Sequence, residues 1–423
     1  MSYQTVKGTY DLLEKDMMKF NELAGLFRGY LDLYGYSEMK TPVFEYTGVF
    51  RKENDTSDMV TKEMYTFSPN GKDSLTLRPE GTAGIIRSFI ENKMYANPEM
   101  PVKLAYIEEM FRHERPQKGR QRQFTQLGVE CIGEKDPLID AEVIALGYFY
   151  IKAIGLNDVK VLLNTLGDNE SRLKYKDELI EYFRPFKDQL CYDCQNRLEK
   201  NPLRILDCKV DHESQIVQNA PKMKLNESSE EYFAKVRHYL DVLNIPYEID
   251  DKLVRGLDYY TDTVFEVVST NEASGSQSTI FGGGRYDNLV KEMGGPEISG
   301  IGFAIGMERL MILAEAEGVF EELDKELDCY VINLNEDKDY ALDVTGMLRE
   351  NGFTCEMDYY GRSLKAQFRT SERKNARFVL IIGEDEVNSG SVTVKDVLTK
   401  AQETVKKEEL ADRLDQLMED YYV

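Results

Sequence analysis

The first part of the chain contains one clear helical pattern and several strand patterns of apolar positions. Apolar residues at helical spacing predict a helix that ends before Gly35: Phe20, Leu23, Ala24, Phe27, Leu31 and Tyr34. An apolar segment then runs into Thr41-Pro42, and because proline has no amide hydrogen, this strand should lie at a sheet edge or end there. Extended patterns at residues 103–109 and 123–132 enclose the polar segment HERPQKGRQ, which predicts a hairpin with a polar loop.

Residues 169–246 differ from the segments around them, because they are polar and helical in pattern. We interpret them as a helical insertion. Strand patterns resume at residues 263–269 and 279–281, and a run of glycines follows up to Gly306.

After the acidic segment 321–326, short strands and helices alternate. Ser363 is placed to cap a basic helix, and the other elements are predicted at residues 329–334, 340–350, 353–357 and 378–382. This alternation is typical of a small α/β domain. The boundary is predicted near Leu327, with domains at residues 1–325 and 327–423.

Length and charge narrow the functional class. The chain has 423 residues, more than one core usually includes, and a formal net charge of -23. That charge argues against a generic nucleic-acid coating protein, since phosphate binding depends on basic surface. Two basic windows, at residues 112–122 and 362–377, oppose the acidic background. A solvated helix face is the ordinary interpretation of one such run, but two of them favour anionic ligands.

The sequence contains no pattern typical of export or membrane insertion. No basic stretch followed by an apolar block begins the chain, and no segment is apolar over the length of a membrane span. Six cysteines, three of them outside any cluster, do not form the dense framework of a secreted scaffold. We therefore expect a cytoplasmic protein with no membrane partner.

Polar residues within the predicted hairpin point to a binding site. In FRHERPQKGRQRQFTQLGVE, even spacing would place Arg112, Gln126 and Glu130 on one face of a sheet. Burying such groups is costly unless they pair or bind a ligand. A polar sheet face of this kind therefore predicts a site.

Three further blocks carry candidate chemistry, and each has a structural alternative. In TLRPEGT, Glu80 could act as a carboxylate at a helix N-terminus. In LVRGLDYYTDTVFE, the alternative is tyrosine packing with an ion pair between Arg255 and Asp258. In GGGRYD and GIGFAIGMERL, glycines allow the backbone to approach a flat ligand, and Arg309 could meet a phosphate or stack on a base.

The cysteines of the insertion raise the question of a metal. Cys191 and Cys194, followed by Cys208 and His212, could supply four zinc ligands, although the second spacing fits no standard site. Buried, reduced thiols without a bound metal are the favoured interpretation.

Taken together, these blocks resemble class II aminoacyl-tRNA synthetases, and within them the histidyl-tRNA synthetase family. Pro42, the hairpin with Arg112, and GIGFAIGMERL with Arg309 resemble the three class II motifs. RGLDYYTDTVFE and GGGRYDNL resemble the two signature peptides of the histidyl family, and LRPEGTA, CYDCQNRLEKNPLRILDCK and the α/β tail match it too. The resemblance covers nearly the whole chain.

The resemblance implies an α+β fold: a class II antiparallel β-sheet flanked by helices, with a helical insertion and a C-terminal α/β anticodon-binding domain. It implies a homodimer with motif 1 at the interface. The implied activity has two steps. L-histidine is activated with ATP to histidyl-adenylate, and histidine is then transferred to the 3′ end of histidine tRNA. Mg²⁺ would accompany the ATP phosphates.

The resemblance also assigns the residues of the site by position. The residues that would hold the histidine ammonium group are Glu80, Thr82 and Gln126. Those that would read the imidazole or line its pocket are Glu130, Tyr260, Tyr259 and Tyr286. Those that would bind ATP are Arg112, Arg309 and Arg120, and Arg255 would sit at the α-phosphate, so the catalytic residues would be Arg255, Arg112 and Arg309. Those that would meet the tRNA acceptor end are Arg115 and Gln117.

Two alternatives differ in function. The regulatory subunit of ATP phosphoribosyltransferase resembles the same catalytic core without charging tRNA, but that paralogue generally lacks the full RGLDYY block and the tail. A tRNA-sensing domain without catalysis is disfavoured by the intact Arg112, Arg255 and Arg309.

Overall fold

The computed structural model describes most of the chain: residues 3–51, 57, 59–117, 119–206, 208, 210–255, 259–271, 279–321, 323 and 326–419. The chain divides into two compact units, Met1–Glu322 and Leu323–Val423. Each unit has its own large sheet and its own buried core. Among the described residues, no helix combines the length and the apolar character that crossing a membrane requires.

The strands of the first unit are β1 (Ser37–Glu38), β2 (Phe44–Tyr46), β3 (Thr66–Phe67), β4 (Leu75–Leu77), β5 (Val102–Phe111), β6 (Gln123–Gly133), β7 (Val159–Thr165), β8 (Tyr247–Ile249), β9 (Thr261–Ser269), β10 (Thr279–Tyr286) and β11 (Ser299–Gly306). Its helices are α1 (Glu14–Tyr34), α2 (Thr47–Phe50), α3 (Thr82–Glu91), α4 (Pro137–Ala153), α5 (Asn169–Phe183), α6 (Tyr192–Arg197), α7 (Leu203–Leu206), α8 (Gln215–Gln218), α9 (Glu227–Val242), α10 (Leu289–Glu292) and α11 (Met307–Ala316). Shorter helical turns are Met59–Glu63, Met94–Ala96 and Arg184–Gln189.

Eight strands of the first unit form one sheet, in the order β1-β5-β6-β11-β10-β9-β7-β8. The two outermost pairs are parallel, and the pairs between β5 and β7 are antiparallel. The predicted hairpin is the pair β5 and β6, and the predicted edge strand before Pro42 is β1 at the sheet edge. A small separate sheet has the order β2-β4-β3.

Most of the glycine run lies inside strands rather than after them, with Gly294 and Gly295 in the turn between β10 and β11. The sequence pattern predicted a strand only at residues 279–281. In the structure, β10 continues through the glycines to Tyr286, and β11 contains Gly300, Gly302 and Gly306. Glycine carries no side chain to reveal a strand period, so the apolar pattern could not detect these residues as extended.

The two faces of the large sheet are covered differently. On one face, α1, α4, α9 and α11 pack against apolar strand residues such as Leu127, Val129 and Ile301. On the other face, α3 and α10 cover one end and α5 to α8 cover the other. The insertion predicted at residues 169–246 is therefore not uniform, because α9 packs on α4 in the main core.

The second unit is a five-stranded sheet with helices. Its elements are β12 (Leu327–Asn333), α12 (Asp339–Glu350), β13 (Cys355–Met357), α13 (Leu364–Arg373), β14 (Ala376–Ile382), α14 (Glu384–Ser389), β15 (Ser391–Asp396), β16 (Gln402–Lys406), the turn Lys407–Glu409 and α15 (Leu410–Glu419). The strand order is β13-β12-β14-β15-β16, with parallel pairs on both sides of β12. Ser363 occupies the predicted N-cap position of α13, but the prediction that it caps is wrong in detail, because its side chain makes no capping hydrogen bond. Its carbonyl instead accepts the amide of Gln367 at 3.0 Å.

Candidate active site

The register of β5 and β6 places the predicted polar residues on one face of the large sheet. Gln126 pairs with Glu108, and Glu130 pairs with Leu104. Just beyond the end of β5, the Arg112 amide donates to the carbonyl of Arg122 at 2.9 Å, which continues the same alternation. This face lies opposite the face packed by α1 and α4, so its polar side chains do not enter the main core.

Glu130 is the most deeply buried carboxylate of this face, with 1% of its surface exposed. The Thr82 hydroxyl donates to Glu130 Oε1 at 2.6 Å, and the Tyr286 hydroxyl donates to Oε2 at 2.6 Å. Burial raises the pKa of Glu130 to about 8, although these two donors act in the opposite direction. In this arrangement a carboxylate is held in place and is costly to ionise.

Gly302 makes room for that carboxylate. It pairs with Glu130 across β6 and β11, and a Cβ at this position would lie 2.2 Å from Glu130 Oε2. Any side chain here would displace the carboxylate, which explains a glycine within an otherwise apolar strand.

Glu80 closes the N-terminus of α3. Its two carboxylate oxygens accept the amides of Thr82 at 2.7 Å and Ala83 at 2.9 Å. Burial raises its pKa, while these amides and the nearby Arg112 lower it. Glu80 therefore does act as a carboxylate at a helix N-terminus, which was its structural alternative. The same hydrogen bonds position Thr82 against Glu130.

Glu80, Thr82, Glu130 and Tyr286 form what we call the carboxylate cluster, and two further tyrosines, Tyr259 and Tyr260, lie beside Tyr286. The rings of Tyr259 and Tyr260 lie 4.8 Å apart, and those of Tyr259 and Tyr286 lie 5.8 Å apart in an edge-to-face arrangement. Tyr260 and Tyr286 are almost fully buried. The tyrosines predicted from two distant blocks of sequence thus meet at one place.

Gln126 lies on the same face with an acceptor that has no donor. Its Oε1 atom is buried and has no hydrogen-bond partner among the described residues. A buried carbonyl oxygen without a donor costs about 1–3 kcal/mol, so this position favours a ligand that can donate.

Arg255 lies flat against the sheet and is paired. A Cβ on Gly282 would come within 2.5 Å of Arg255 Nη1, and that guanidinium forms an ion pair with Glu266 on β9. The ion-pair partner proposed from sequence, Asp258, lies outside the described residues. Glu266 was missed as a partner, although it stands among apolar neighbours on its strand.

Arg112 and Arg309 are each held by a hydrogen bond to a backbone carbonyl. Arg112 Nε donates to the Pro79 carbonyl at 2.8 Å, and its guanidinium lies 5.2 Å from the centre of the Phe124 ring. Arg309 Nη1 donates to the Thr279 carbonyl at 2.9 Å. Burial, together with the neighbouring charge of Arg120, lowers the pKa of Arg309. With Arg255, these residues form what we call the arginine group: Arg112, Arg120, Arg255 and Arg309.

The loop between β5 and β6 is mostly at the surface. Arg115 and Gln117 are exposed, and Arg120 Nη1 contacts Glu114 Oε2 at 3.2 Å. Gln117 and Arg120 form an isolated bridge, with backbone distances of 3.1 and 2.9 Å. Lys118 lies outside the described residues.

Two buried ion pairs support the site and were missed in the sequence. Arg78 Nη1 lies 2.7 Å from Glu108 Oε1, and the same carboxylate accepts both the amide and the hydroxyl of Thr41 at 2.9 Å. The contact joins the turn before Glu80 to β5 and to the residue before Pro42. The sequence signal was the arginine of LRPEGTA, which stands two residues before Glu80.

The second pair lies on the opposite face of the sheet. Arg285 faces away from Tyr286, and its Nε donates to Asp140 Oδ1 on α4 at 2.9 Å, with both side chains fully buried. Tyr232 donates to the other oxygen of Asp140 at 3.2 Å. The available signal was a carboxylate among apolar residues in the first half of α4.

An antiparallel sheet flanked by helices, with buried carboxylates and arginines on its glycine-containing face, is the arrangement of a class II aminoacyl-tRNA synthetase. The α+β prediction is confirmed. Residues 8–167 and 201–310 match the family described as Histidyl-tRNA synthetase, and residues 328–417 match the family described as Anticodon binding domain. The chain belongs to the histidyl-tRNA synthetase family, and the resemblance inferred from its motifs is confirmed.

Individual relatives agree with this assignment. A Histidine–tRNA ligase of Bacillus cytotoxicus is 48% identical over 409 residues, which cover 96% of this chain and 97% of the relative. The apo histidyl-tRNA synthetase of S. aureus has a similar structure, with a TM-score of 0.84 and 38% identity over 98% of this chain and all of that one.

The regulatory alternative is not favoured. A Bacillus halodurans structure titled as an ATP phosphoribosyltransferase regulatory subunit/histidyl-tRNA synthetase has 21% identity, a TM-score of 0.65, and a match over 90% of this chain and 99% of that chain. At that identity the similarity is one of fold only. The synthetase relatives are far closer in sequence and match the tail as well.

Proposed function

We propose that this chain is a histidine–tRNA ligase that activates L-histidine with ATP and transfers it to the 3′ end of histidine tRNA, releasing AMP and pyrophosphate. One observation carries the choice of amino acid: a buried carboxylate, Glu130, is held by two donors and surrounded by tyrosines. An imidazole ring offers the N–H that such a carboxylate can accept. A site built around hydrogen bonds rejects a ligand that lacks them by roughly four to five orders of magnitude.

The remaining groups of the pocket suit the rest of the histidine molecule. The buried Oε1 of Gln126 accepts a hydrogen bond from the substrate ammonium group, which supplies the donor that the protein lacks. Glu80 and Thr82, which are joined at the start of α3, would complete an acceptor set for that group. Tyr260 contacts the imidazole beside Glu130, and Tyr259 and Tyr286 form the walls.

The arginine group supplies the positive charge for ATP. Arg112 and Arg309 clamp the nucleotide, Arg120 meets the outer phosphates, and Arg255 lies at the α-phosphate. Burial lowers the pKa of Arg309, and the neighbouring positive charge of Arg120 lowers it further; a triphosphate between the two guanidiniums would remove that repulsion. The flat position of Arg255 over Gly282 presents its guanidinium to a ligand lying on the sheet.

The proposed reaction needs no nucleophile from the protein. The histidine carboxylate attacks the α-phosphorus in line and pyrophosphate leaves; the terminal ribose hydroxyl of the tRNA then attacks the carbonyl of the adenylate. The protein contributes position and stabilisation of the charge that moves to the phosphate oxygens, and arginines perform both roles.

Mg²⁺ would accompany the ATP phosphates and screen their charge. Magnesium usually binds through one or two carboxylates together with phosphate oxygens. Glu114 and Glu266 fit that requirement, because both act on Arg309 and each contacts an arginine of the group. Without a bound magnesium ion, these two carboxylates would neutralise the arginines that bind the ATP phosphates.

Exposed residues support the two macromolecular partners that we propose, histidine tRNA and a second copy of the chain. Arg115 and Gln117 are placed to meet the acceptor end of the tRNA. The small β2 strand after Pro42 exposes Phe44 and Tyr46, which supports a homodimer interface at motif 1. We assign residues 1–325 to catalysis and 327–423 to anticodon binding, in a cytoplasmic enzyme.

The central experiment measures histidine-dependent exchange between ATP and labelled pyrophosphate, followed by charging of histidine tRNA. We expect exchange with histidine and none with the other amino acids at comparable concentration. Histidine binding without exchange, in folded protein, would contradict a ligase and favour the regulatory class.

A second experiment separates the two units. Cutting the chain near Leu327 should weaken tRNA charging much more than histidine activation, because α13 exposes Lys365, Arg369 and Arg373 for RNA phosphates. The full-length variant Lys365→Glu/Arg369→Glu is the matched control and should reproduce the split without removing a domain. Equal loss of exchange and charging would refute a specific role for the tail in reading tRNA.

A further inference from the structure

Four potential metal ligands converge in the insertion, and none of them belongs to the proposed active site. They are Cys191, Cys194, Cys208 and Asp211, and their ligand atoms all lie within 4.8 Å of one another. Cys191 immediately precedes α6 and Cys194 lies on its first turn, whereas Cys208 and Asp211 follow α7. Two segments separated along the chain therefore meet at this cluster.

The sulfur spacing is close to that of a tetrahedral metal centre. The Sγ atoms of Cys191 and Cys208 lie 3.6 Å apart. A zinc–sulfur bond of about 2.3 Å with tetrahedral angles places two sulfurs about 3.8 Å apart. All six cysteines of the chain are free thiols, so none of these sulfurs is used in a disulfide.

Asp211 gives the strongest reason to expect a cation. Its side chain is 8% exposed, and one oxygen accepts the amide of Cys191 at 2.9 Å. No lysine, arginine or histidine in the described part of the chain forms an ion pair with it. A buried carboxylate without a positive partner is costly, and a metal ion coordinated by it and by three thiolates supplies that charge.

The fourth ligand differs from the one that spacing suggested. His212 is next in sequence, but half of its side chain is exposed, and its Nε2 lies 3.7 Å from the exposed Glu213. Asp211 takes the place considered for His212, which is why the sequence spacing matched no standard site. The expectation of thiols without metal rested on that mismatch.

We propose that Cys191, Cys194, Cys208 and Asp211 form a closed zinc site that stabilises the insertion. Three soft thiolates in a tetrahedral set select zinc over magnesium or calcium, and four protein ligands leave no open position for catalysis. The site lies in the apolar cluster that includes Leu198, Leu206 and Tyr260. Metal binding therefore supports the helices that pack beside the proposed histidine pocket.

The test measures metal content in the full chain, purified without a polyhistidine tag and without added zinc. Elemental analysis should find roughly one zinc per chain and no stoichiometric iron. Asp211→Asn and Cys194→Ser should lose most of it, whereas His212→Ala and Cys355→Ser, which changes a buried cysteine of the other unit, should retain it.

Asp211→Asn keeps the size of the side chain and an acceptor for the Cys191 amide, so it separates metal loss from misfolding. Cobalt substituted into the wild-type protein should give the visible bands of a tetrahedral ion and a thiolate charge-transfer band. A chelator should lower the melting temperature of wild type and leave that of Asp211→Asn unchanged.

Three results would overturn the proposal. The first is the absence of stoichiometric zinc in folded protein, with or without a disulfide among these cysteines. The second is stoichiometric iron. The third is loss of zinc in His212→Ala together with full zinc in Asp211→Asn, which would assign the fourth ligand to the histidine.

Discussion

The carboxylate cluster and the arginine group lie on the same face of one sheet, but they hold their charges differently. Glu80 and Glu130 are almost fully excluded from water, and each of their four carboxylate oxygens accepts one hydrogen bond from an amide or a hydroxyl of the protein. Arg112 and Arg309 are half-buried, and each makes one hydrogen bond to a backbone carbonyl. The first region is organised before any ligand arrives. In the second, the contacts among the described residues leave several N–H groups of Arg112 and Arg309 available to a ligand.

The difference matches what each region must recognise. An imidazole carries little charge and is distinguished by the positions of its N–H groups, which demands fixed acceptors. A triphosphate carries several negative charges, and a protein recognises it mainly through their total charge, which several guanidinium groups can match. We therefore expect changes in the carboxylate cluster to alter the choice of amino acid, and changes in the arginine group to alter turnover and ATP affinity.

The largest effect should come from Arg255→Ala. Its guanidinium meets the α-phosphate as charge moves to the phosphate oxygens, and removing such a donor typically costs on the order of a hundredfold to a thousandfold in rate. The measurement is the pyrophosphate exchange rate at saturating ATP and histidine, beside a melting curve.

Glu266→Gln is the matched control, because it breaks the same ion pair without removing the guanidinium. If Arg255 served only that ion pair, both variants would lower the melting temperature similarly and leave exchange nearly normal. That result would leave Arg112 and Arg309 to carry the phosphate chemistry.

A smaller effect, on binding rather than turnover, is expected for Glu130→Gln. The amide presents only one acceptor oxygen and cannot ionise when the imidazole binds, so the KM for histidine should rise roughly tenfold to a hundredfold, equivalent to about 1.5–3 kcal/mol. Exchange at saturating histidine should fall less. Tyr286→Phe, which removes one donor to the same carboxylate, should give an intermediate value. An unchanged KM in Glu130→Gln would remove this residue from the imidazole site.

The raised pKa of Glu130 also predicts how stability depends on pH. The folded protein keeps the proton until pH about 8, whereas the unfolded chain releases it near 4.5. The free energy of unfolding should therefore fall as pH rises between these values, by at most about 1.4 kcal/mol per pH unit from this group. Denaturant unfolding at several pH values should show that Glu130→Gln lacks this slope. Parallel profiles for the two proteins would contradict the raised pKa.

The smallest effect is expected for Arg120→Ala. This side chain is 39% exposed and already contacts Glu114, so its loss should raise the KM for ATP only a few-fold, equivalent to about 0.5–1 kcal/mol. Arg115→Ala, an exposed arginine of the same loop, should leave the KM for ATP unchanged and weaken tRNA charging. Equal effects of both variants on ATP would indicate general electrostatic attraction rather than a phosphate contact.

Local sequence patterns predicted those parts of the fold whose signal lies within one element. The helix ending at Gly35, the hairpin of β5 and β6 and the alternating tail follow from apolar periods, although the first helix starts six residues earlier than its pattern, at Glu14. Gln126 and Glu130 share a face because a strand alternates with period two. The glycine strands escaped detection, since glycine contributes no period.

The sequence by itself determined the family, the carboxylates and arginines of the candidate site, and the faces on which they lie, because motif identity and strand alternation are local properties. Only the tertiary structure decided the partners. Arg285 meets Asp140 across 145 positions, Arg255 on one segment meets Glu266 on β9, and a buried aspartate rather than the adjacent histidine completes the cysteine cluster. Such pairs depend on which strands and helices become neighbours, and no periodicity along the chain records that choice.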